Sequence, residues 1–308
     1  MPLFNKRKYV ADSLASVARQ SFTDYEIIVV DDGSTDDGAQ IVREMNLPNL
    51  RLIRQENAGV SVARNRCLAE SSSEFVAFLD ADDVWRQDHL KHLWSLHVAF
   101  PDASLLANSF QEVSAIPDDD VATAVQYRGI EDFIAEAAAG CAWVFTSAAM
   151  IHRDRCLSLG GFEADENRGE DIDLWIRMGS RFPVALSDYV GSFYRRVDNS
   201  LTTSLSVLQP DIAMRRIAAT LGTETGMGPA RRRAFKELYN RIAIANATDC
   251  LAKGQREAAR MFLSLSSDTD VSRSRWRILQ LLCLMPPSAV TKLARMRNRV
   301  RAVMESGR

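Results

Sequence analysis

The stretch EFVAFLDADDVW, residues 74–85, joins an apolar run directly to a group of acids. Its apolar part, residues 75–79, has the length and the aromatic and β-branched content of a strand covered on both faces of a parallel sheet. Asp80, Asp82 and Asp83 follow at once. Three carboxylates within four positions repel one another, so the stretch predicts a buried strand that ends in a binding turn or a solvated one.

A second stretch of the same kind is YEIIVVDDGSTD, residues 25–36, in which a strand-like run ends at Asp31 and Asp32. In an open parallel sheet, ligands bind outside the carboxyl ends of the strands. The acids of the two turns are therefore expected to lie along one edge of the sheet, although about 50 residues separate them in the chain.

The spacing of the acids in the later turn indicates what they bind. Asp80 and Asp82 are two residues apart on an extended backbone, so their side chains point to the same side. Carboxylates placed in this way suit Mg²⁺ or Mn²⁺, whose remaining ligands are commonly phosphate oxygens and water. The two turns together predict a site for a metal and a diphosphate. Taken alone, the later turn would equally suit a solvated loop with a helix cap at Asp83.

The segments around these strands alternate between helix and strand. Residues 7–22 carry an apolar stripe at helical spacing, and residues 61–71 also read as a helix. This order predicts an α/β fold with a Rossmann-like, mostly parallel sheet flanked by helices. A right-handed βαβ unit needs a strand before its first helix, and the residues MPLF alone precede it here. The first strand is therefore expected to be truncated.

The composition is that of an ordinary globular protein, with 46% hydrophobic residues and a formal net charge of −2. The five cysteines are scattered and form no CxxC pair, which is typical of reduced thiols and predicts a cytoplasmic location. No window approaches the ~18 apolar residues that a membrane span requires. The opening MPLFNKRKYV has no apolar segment of the kind found in signal peptides.

Three histidines fall on one predicted helix, QDHLKHLWSLH. His89 and His92 are three residues apart, a spacing that would suit zinc, but the pattern offers no third ligand. We therefore expect His89, His92 and His97 to lie on the surface of that helix.

Several motifs together resemble the family 2 glycosyltransferases, which are inverting enzymes of the GT-A fold with an Asp-x-Asp motif. The matching segments are residues 4–37, residues 56–85, GGF at 160–162, GEDIDLWIRM at 169–178 and YRRVDNS at 194–200. The resemblance covers residues 1–205 and implies a GT-A glycosyltransferase domain there. Residues 206–308 are expected to form a helical C-terminal region, with a hairpin broken at Gly254 and a basic tail.

The resemblance implies a set of residues that bind the nucleotide-sugar. Pro2 and Phe4 stand where the family packs the nucleotide base. Asp32 would accept a hydrogen bond from the imide N–H of uracil or thymine, and Arg64 would flank the base or the phosphates. Asp80 would bond to the ribose.

The resemblance also implies the residues of the chemical step. Asp82 would coordinate Mn²⁺ or Mg²⁺, and Asp171 matches the general base of inverting members. Glu170, Trp175 and Arg177 would support the loop and the acceptor side of the site. A general base agrees with the chemistry, since an attacking hydroxyl must lose its proton while the metal neutralises the departing diphosphate. Acids at a helix start are otherwise commonly explained by the helix dipole.

One position departs from the family pattern. The family often places a histidine two residues after its YR pair, and this chain has Val197 there. Arg196 or a water molecule would then have to replace any contact made by that histidine.

These expectations lead to one main function and two alternatives. The main one is inverting transfer of a sugar from a UDP- or dTDP-sugar to a hydroxyl acceptor, in cell-surface polysaccharide or glycolipid synthesis. The alternatives are a catalytically inactive nucleotide-sugar-binding protein and a sugar-phosphate nucleotidyltransferase. The last would show a glycine-rich basic loop after its first strand, which is not visible in the sequence.

The tail suggests a further partner. Residues 271–308 contain nine Lys or Arg and one Glu. Residues 273–301 combine this charge with Trp276 and a short apolar face, which predicts binding to an anionic membrane surface and a peripheral position on the inner face of the plasma membrane. The alternative is a pair of packed terminal helices with a solvated basic face. No nucleic-acid partner is expected.

Overall fold

The computed structural model describes residues 1–117, 124–166, 168–196, 209–223, 226–266 and 273–284. These residues divide into two compact units. The described part of residues 1–205, together with Asp211–Ala213, forms the first unit, and the described part of residues 206–210 and 214–308 forms the second. All the candidate site residues lie in the first unit.

The first unit begins with a parallel sheet. Among the described residues this sheet has three strands in the order β1–β2–β3. Its strands and helices are β1 Pro2–Leu3, α1 Val10–Ala18, β2 Ile27–Asp32, α2 Gly38–Glu44, β3 Leu50–Gln55 and α3 Val60–Glu70. Val29 of β2 packs with Leu14 of α1, and Val30 packs with Ala63 of α3. The strand is thus covered on both faces, as its apolar run predicts.

The rest of the first unit forms a mixed sheet whose longest pairing, between β6 and β9, is parallel. Within the described residues the order is β4–β8–β6–β9–β5, with β7 also paired to β9. The elements are β4 Phe75–Ala77, β5 Val84–Trp85, α4 His89–Ala99, β6 Leu105–Val113, β7 Tyr127–Ile130, α5 Phe133–Ala139, β8 Ala149–His152, α6 Arg153–Ser158, α7 Glu170–Arg181 and β9 Val184–Arg195. The predicted α/β class with parallel-rich sheets is confirmed. The expectation that the two acid-bearing strands lie in one parallel sheet is wrong, since β2 belongs to the first sheet and β4 pairs antiparallel with β8 in the second.

The strand that leads to the acids is shorter than the apolar run suggests. β4 ends at Ala77, and the buried residues Phe78 and Leu79 lead into the acid turn, residues 80–83. The Phe78 N–H still donates to the Ala149 carbonyl at 3.1 Å. The turn is therefore anchored to β8 just before its first acid.

A partly open cavity of about 420 Å³ is lined by residues of β2 and β4, including Ile27, Ile28 and Phe75. β1 pairs with β2 only at Val30 and Asp31. The expected truncation of the first strand stays an expectation.

The histidine prediction is wrong for His89, which is fully buried. Its ring stacks on Trp85, with the centroids 4.6 Å apart. Burial, with a smaller contribution from His92, lowers the pKa of His89 to about 3, so the ring is neutral and belongs to the core beneath the acid turn.

The second unit is helical in its described part. Its helices are α8 Ile212–Thr223, which begins within the first unit, α9 Pro229–Ala252, α10 Arg256–Leu265 and α11 Arg273–Leu284. The predicted break at Gly254 is confirmed, since this residue adopts φ 75° between α9 and α10. Among the described residues, no helix is both long enough and apolar enough to cross a membrane.

Candidate active site

The acid turn at residues 80–83 is held from α1. Ser13 donates its hydroxyl to the Ala81 carbonyl at 3.0 Å, and the Trp85 N–H donates to the Ser16 hydroxyl at 3.1 Å. Two small hydroxyl side chains of α1 therefore fix the backbone on both sides of the acids.

The three acids of the turn have different environments, and Asp83 faces inward. It is 1% exposed and accepts hydrogen bonds from the Ser147 hydroxyl and from the Arg195 N–H. Burial, followed by repulsion from Asp80 and Asp82, raises the pKa of Asp83 well above its ordinary value. Asp83 thus ties the turn to its neighbours, while Asp80 and Asp82 remain partly exposed.

Asp80 is joined to the start of α7 by Arg64 of α3. Arg64 Nη2 donates to both Asp80 oxygens, at 2.9 and 3.0 Å, and Nη1 donates to Glu170 Oε1 at 2.8 Å. Burial alone would lower the pKa of the guanidinium, but the carboxylates of Asp80 and Glu170 more than offset this and raise it. The sequence places these three residues in separate motifs, and the fold brings them into one ion-pair network.

Glu170 is the buried member of the acid pair at the start of α7. Burial and the adjacent Asp171 raise the pKa of Glu170, and Arg64 opposes that rise. Gly169 precedes it with φ 73°, a left-handed conformation that favours glycine. The helix start is thereby turned so that Glu170 points inward to Arg64.

Asp171 lies beside Glu170 and is only partly buried. The Thr146 hydroxyl donates to Asp171 Oδ2 at 2.9 Å, and the Ile172 N–H donates to Oδ1 at 2.7 Å. Both carboxylate oxygens are therefore oriented, which is the state that a general base requires.

The nucleotide side of the site is built around Asp32. Its Oδ1 accepts from the Gln55 side chain at 2.8 Å and from the Ala58 N–H at 2.9 Å, and its Oδ2 accepts from the Gly59 N–H at 2.9 Å. The carboxylate, 3% exposed, thus positions the loop before α3. A carboxylate has about four acceptor positions, so one remains for a ligand.

The other residues expected at the base differ in exposure. Pro2 is half-buried in β1, whereas the Phe4 side chain is 45% exposed directly after that strand. Phe4 thus offers an open aromatic surface next to the strand end, while Arg64, at 4% exposed, lies inside its ion pairs.

Arg177 and Trp175 lie behind the helix start. Arg177 donates to the Leu159 and Gly161 carbonyls at 2.9 and 2.7 Å and is ion-paired with Asp173. Trp175 is buried against Phe162, with the ring centroids 6.2 Å apart. Both side chains therefore hold the GGF turn against α7, with Trp175 buried and Arg177 partly exposed.

Four residues of this arrangement were missed by the sequence reasoning. Lys6 is ion-paired with Asp82, and Asn65 exchanges hydrogen bonds with the Phe162 backbone at 2.7 and 2.8 Å. Thr146 and Ser147 contact the acids from a short turn before β8. Asn65 was readable as part of the ARN motif, whereas the other three carry no local signal. The position of Val197 lies outside the described residues.

The residues present fit a divalent cation whose remaining coordination positions are filled by a bound ligand. Within the described parts of the chain, no group of three or more His, Cys, Asp or Glu side chains is arranged to hold a metal. Mg²⁺ is commonly held by one or two carboxylates together with substrate phosphates and waters. Asp82, with 14% of its side chain exposed, can supply one such carboxylate. The donor set therefore suits a metal that is shared with a diphosphate.

Comparison with known proteins shows that this chain is similar to glycosyltransferases. Residues 1–119 match the model of Glycosyl transferase family 2. The chain is 29% identical over 212 residues to the putative teichuronic acid biosynthesis glycosyltransferase TuaG of Bacillus subtilis (strain 168), which covers 66% of this chain and 80% of the relative. Other curated relatives match over shorter segments, and the chain spans 15% of the length of one and 40% of another.

Solved structures show the same fold. The S. aureus TarS 1–349 structure in complex with UDP-GlcNAc has a TM-score of 0.66 at 18% identity and covers 96% of this chain and 90% of its own. The mannosyltransferase PcManGT of Pyrobaculum calidifontis, solved in complex with GDP-Man and Mn²⁺, has a TM-score of 0.57 at 19% identity. The match covers 95% of this chain and 82% of the PcManGT chain. The predicted GT-A fold is confirmed.

Proposed function

Because the chain belongs to glycosyl transferase family 2, we propose that it transfers a sugar from a nucleoside diphosphate donor to a hydroxyl acceptor in the synthesis of a cell-surface polysaccharide or glycolipid. The nucleotide of the donor is UDP or dTDP, and the transfer inverts the anomeric carbon. The similarity to TuaG and to the UDP-GlcNAc complex of TarS supports this substrate class.

One observation carries the proposal. Arg64 donates hydrogen bonds to Asp80 and to Glu170 at the same time, at 2.8 to 3.0 Å. This joins the acid turn, where a nucleotide diphosphate would bind, to the helix start that carries Asp171. A donor bound at the turn therefore has its sugar directed toward a carboxylate that is held ready for proton transfer.

The protein residues divide the chemistry between them. The acceptor hydroxyl attacks C1 of the sugar while the C1–O bond to the diphosphate breaks, and its proton passes to an Asp171 oxygen. Thr146 and the Ile172 N–H orient that carboxylate. No covalent intermediate with the protein is formed, which accords with a single displacement and inversion.

The remaining roles concern the donor. Asp82 and the diphosphate would together hold Mn²⁺ or Mg²⁺, which supplies positive charge to the departing group. Asp80 would bond to the ribose, and Asp32 would accept from the base imide through its remaining acceptor position. Phe4, exposed after β1, and Pro2 would pack against the base.

The place of action is also a proposal. We place the protein in the cytoplasm, peripheral on the inner face of the plasma membrane through its tail. Ile278 and Leu281 of α11 are 56% and 62% exposed, and Arg277 lies beside them. The Trp276 ring is directed inward, since its Nε1 donates to the Ser266 hydroxyl at 2.8 Å. The contact would therefore be made by the two aliphatic residues and the arginine.

The experiment is nucleoside diphosphate release from a panel of UDP- and dTDP-sugars, with Mn²⁺ or Mg²⁺ and candidate saccharide or lipid-linked acceptors. A glycosyltransferase releases UDP or dTDP in proportion to product, and EDTA or Asp82→Ala abolishes the release. An inactive binding protein would bind UDP without any acceptor-dependent release. A nucleotidyltransferase would instead release pyrophosphate from UTP or dTTP with a sugar 1-phosphate, and either result would overturn the proposal.

A further inference from the structure

The carboxylate assigned to the metal is already paired with a cation of the chain. Lys6 Nζ and Asp82 Oδ2 form an ion pair in which the two side chains are 24% and 14% exposed. The residues are 76 positions apart. Lys6 therefore holds the position on Asp82 that the proposed function gives to Mn²⁺ or Mg²⁺, so any role for this ion pair in catalysis rests on that proposed function.

The backbone of Lys6 is firmly placed. Its carbonyl accepts from the Tyr9 and Val10 N–H groups at 2.9 and 3.0 Å, at the start of α1. The preceding residue, Asn5, has φ 52° and accepts from the Thr35 N–H at 2.9 Å. The ammonium group, in contrast, stands at the end of a flexible four-carbon chain. It can change partners while its backbone stays in place.

The charges around Asp82 make a change of partner necessary. Arg64 pairs with Asp80, and in the part of the chain that the structure describes Lys6 is the cation in contact with Asp82. A divalent cation on Asp82 would meet the Lys6 ammonium at close range, and like charges so close in a partly buried site repel strongly. A diphosphate beside the same metal would offer the displaced ammonium a new anionic partner.

We propose that Lys6 is an exchanging counterion that pairs with Asp82 in the nucleotide-free protein and with the donor diphosphate in the loaded one. In the first state it keeps divalent cations off Asp82. In the second it releases Asp82 and adds its charge to the leaving group. Metal and nucleotide consequently bind as a pair, and the free protein has little affinity for the metal.

The test is Lys6→Met, which keeps the length of the side chain and removes its charge. Two affinities are measured: that of nucleotide-free protein for Mn²⁺, from the electron paramagnetic resonance signal of free Mn²⁺, and that of metal-free protein in EDTA for UDP or dTDP, by calorimetry. We expect Mn²⁺ binding to tighten about tenfold and nucleotide binding to weaken about tenfold, each equal to ~1.4 kcal/mol. A structural defect would weaken both.

The matched control is Arg7→Met, which removes a neighbouring positive charge whose partner is the exposed Asp37; both affinities should stay as in the wild type. Lys6→Arg should likewise stay close to the wild type. The proposal is overturned if Lys6→Met leaves either affinity unchanged. If Mn²⁺ binds none of these proteins even with UDP present, the metal assignment of the proposed function falls, and the Lys6 proposal falls with it.

Discussion

The Thr146 hydroxyl donates a hydrogen bond of 2.9 Å to Asp171 Oδ2. Thr146 is buried in the turn before β8, and Asp171 lies at the first turn of α7. The adjacent Ser147 bonds to Asp83 and accepts from the Asp80 N–H. Two consecutive hydroxyl residues thus link the candidate base to the acid turn.

Asp171→Asn should lower kcat by about 10² to 10⁴, since it keeps the shape of the side chain and removes its basicity. Donor affinity should change little, because the nucleotide contacts lie elsewhere. Glu170→Gln should lower kcat much less, as a glutamine oxygen can still accept from Arg64. Turnover measured beside calorimetric donor binding checks both variants. If Glu170→Gln were the more damaging change, the base would be misassigned.

Thr146→Val should reduce kcat by about tenfold or more, because a hydrogen bond to a charged group is worth ~1.5–3 kcal/mol. Thr146→Ser keeps the hydroxyl and should retain most of the activity. The kcat values of the two variants are compared at a saturating donor concentration. Equal rates for the two variants would show that the hydroxyl does not position Asp171.

Arg64→Met should destabilise the fold by about 3 kcal/mol, since it leaves the carboxylates of Asp80 and Glu170 without their common partner. Arg66 of the same helix offers a control, because its ion pair with Glu70 is exposed. Arg66→Met should cost less than about 1 kcal/mol. Urea unfolding measured in EDTA gives both values. Similar losses of unfolding free energy for the two variants would show that the Arg64 network does not stabilise the fold more than an exposed ion pair.

Asp83 should make the free energy of unfolding depend on pH. Its pKa is raised in the folded protein above the ordinary 3.8, so the folded state binds the proton more tightly than the unfolded state. That stabilisation is complete below the unfolded pKa and is lost as the pH rises through the folded pKa. In EDTA, the wild type should therefore lose stability relative to Asp83→Asn as the pH rises above about 4. If the free energies of unfolding of the two proteins changed in parallel with pH, Asp83 would not be the source of the pH dependence.

The full-length double variant Ile278→Ser with Leu281→Ser should float less with anionic vesicles than the wild type. The two side chains are exposed on α11, and burying each in the interface contributes about 1.5–3 kcal/mol. Leu265→Ser serves as the control, because Leu265 is also exposed, at 40%, but belongs to α10. Equal recovery of all three proteins with the vesicles would contradict membrane binding through Ile278 and Leu281.

Local sequence patterns were enough to predict most strands and helices of the first unit and the acids that follow them. The apolar run of β2 and the stripe of α7 are local patterns, and the acids adjoin them in the chain. The shared edge of one parallel sheet, which the order of strands and acids predicted for Asp32 and Asp80, is not what the fold shows, because β2 and β4 belong to different sheets. The assignment of Asp171 to a helix start followed from the GED motif.

The partner of each carboxylate, in contrast, depends on the folded chain. The three acids of the turn have different partners: Asp83 is buried and bonded to Ser147, Asp80 is paired with Arg64, and Asp82 is paired with Lys6. The alternation of a strand predicts the direction of a side chain but not its partner. Those partners come from loops and helices distant in the chain, and Lys6 reaches Asp82 across 76 positions. Burial and Coulomb energy depend on such distant neighbours, so they become visible only when the chain is folded.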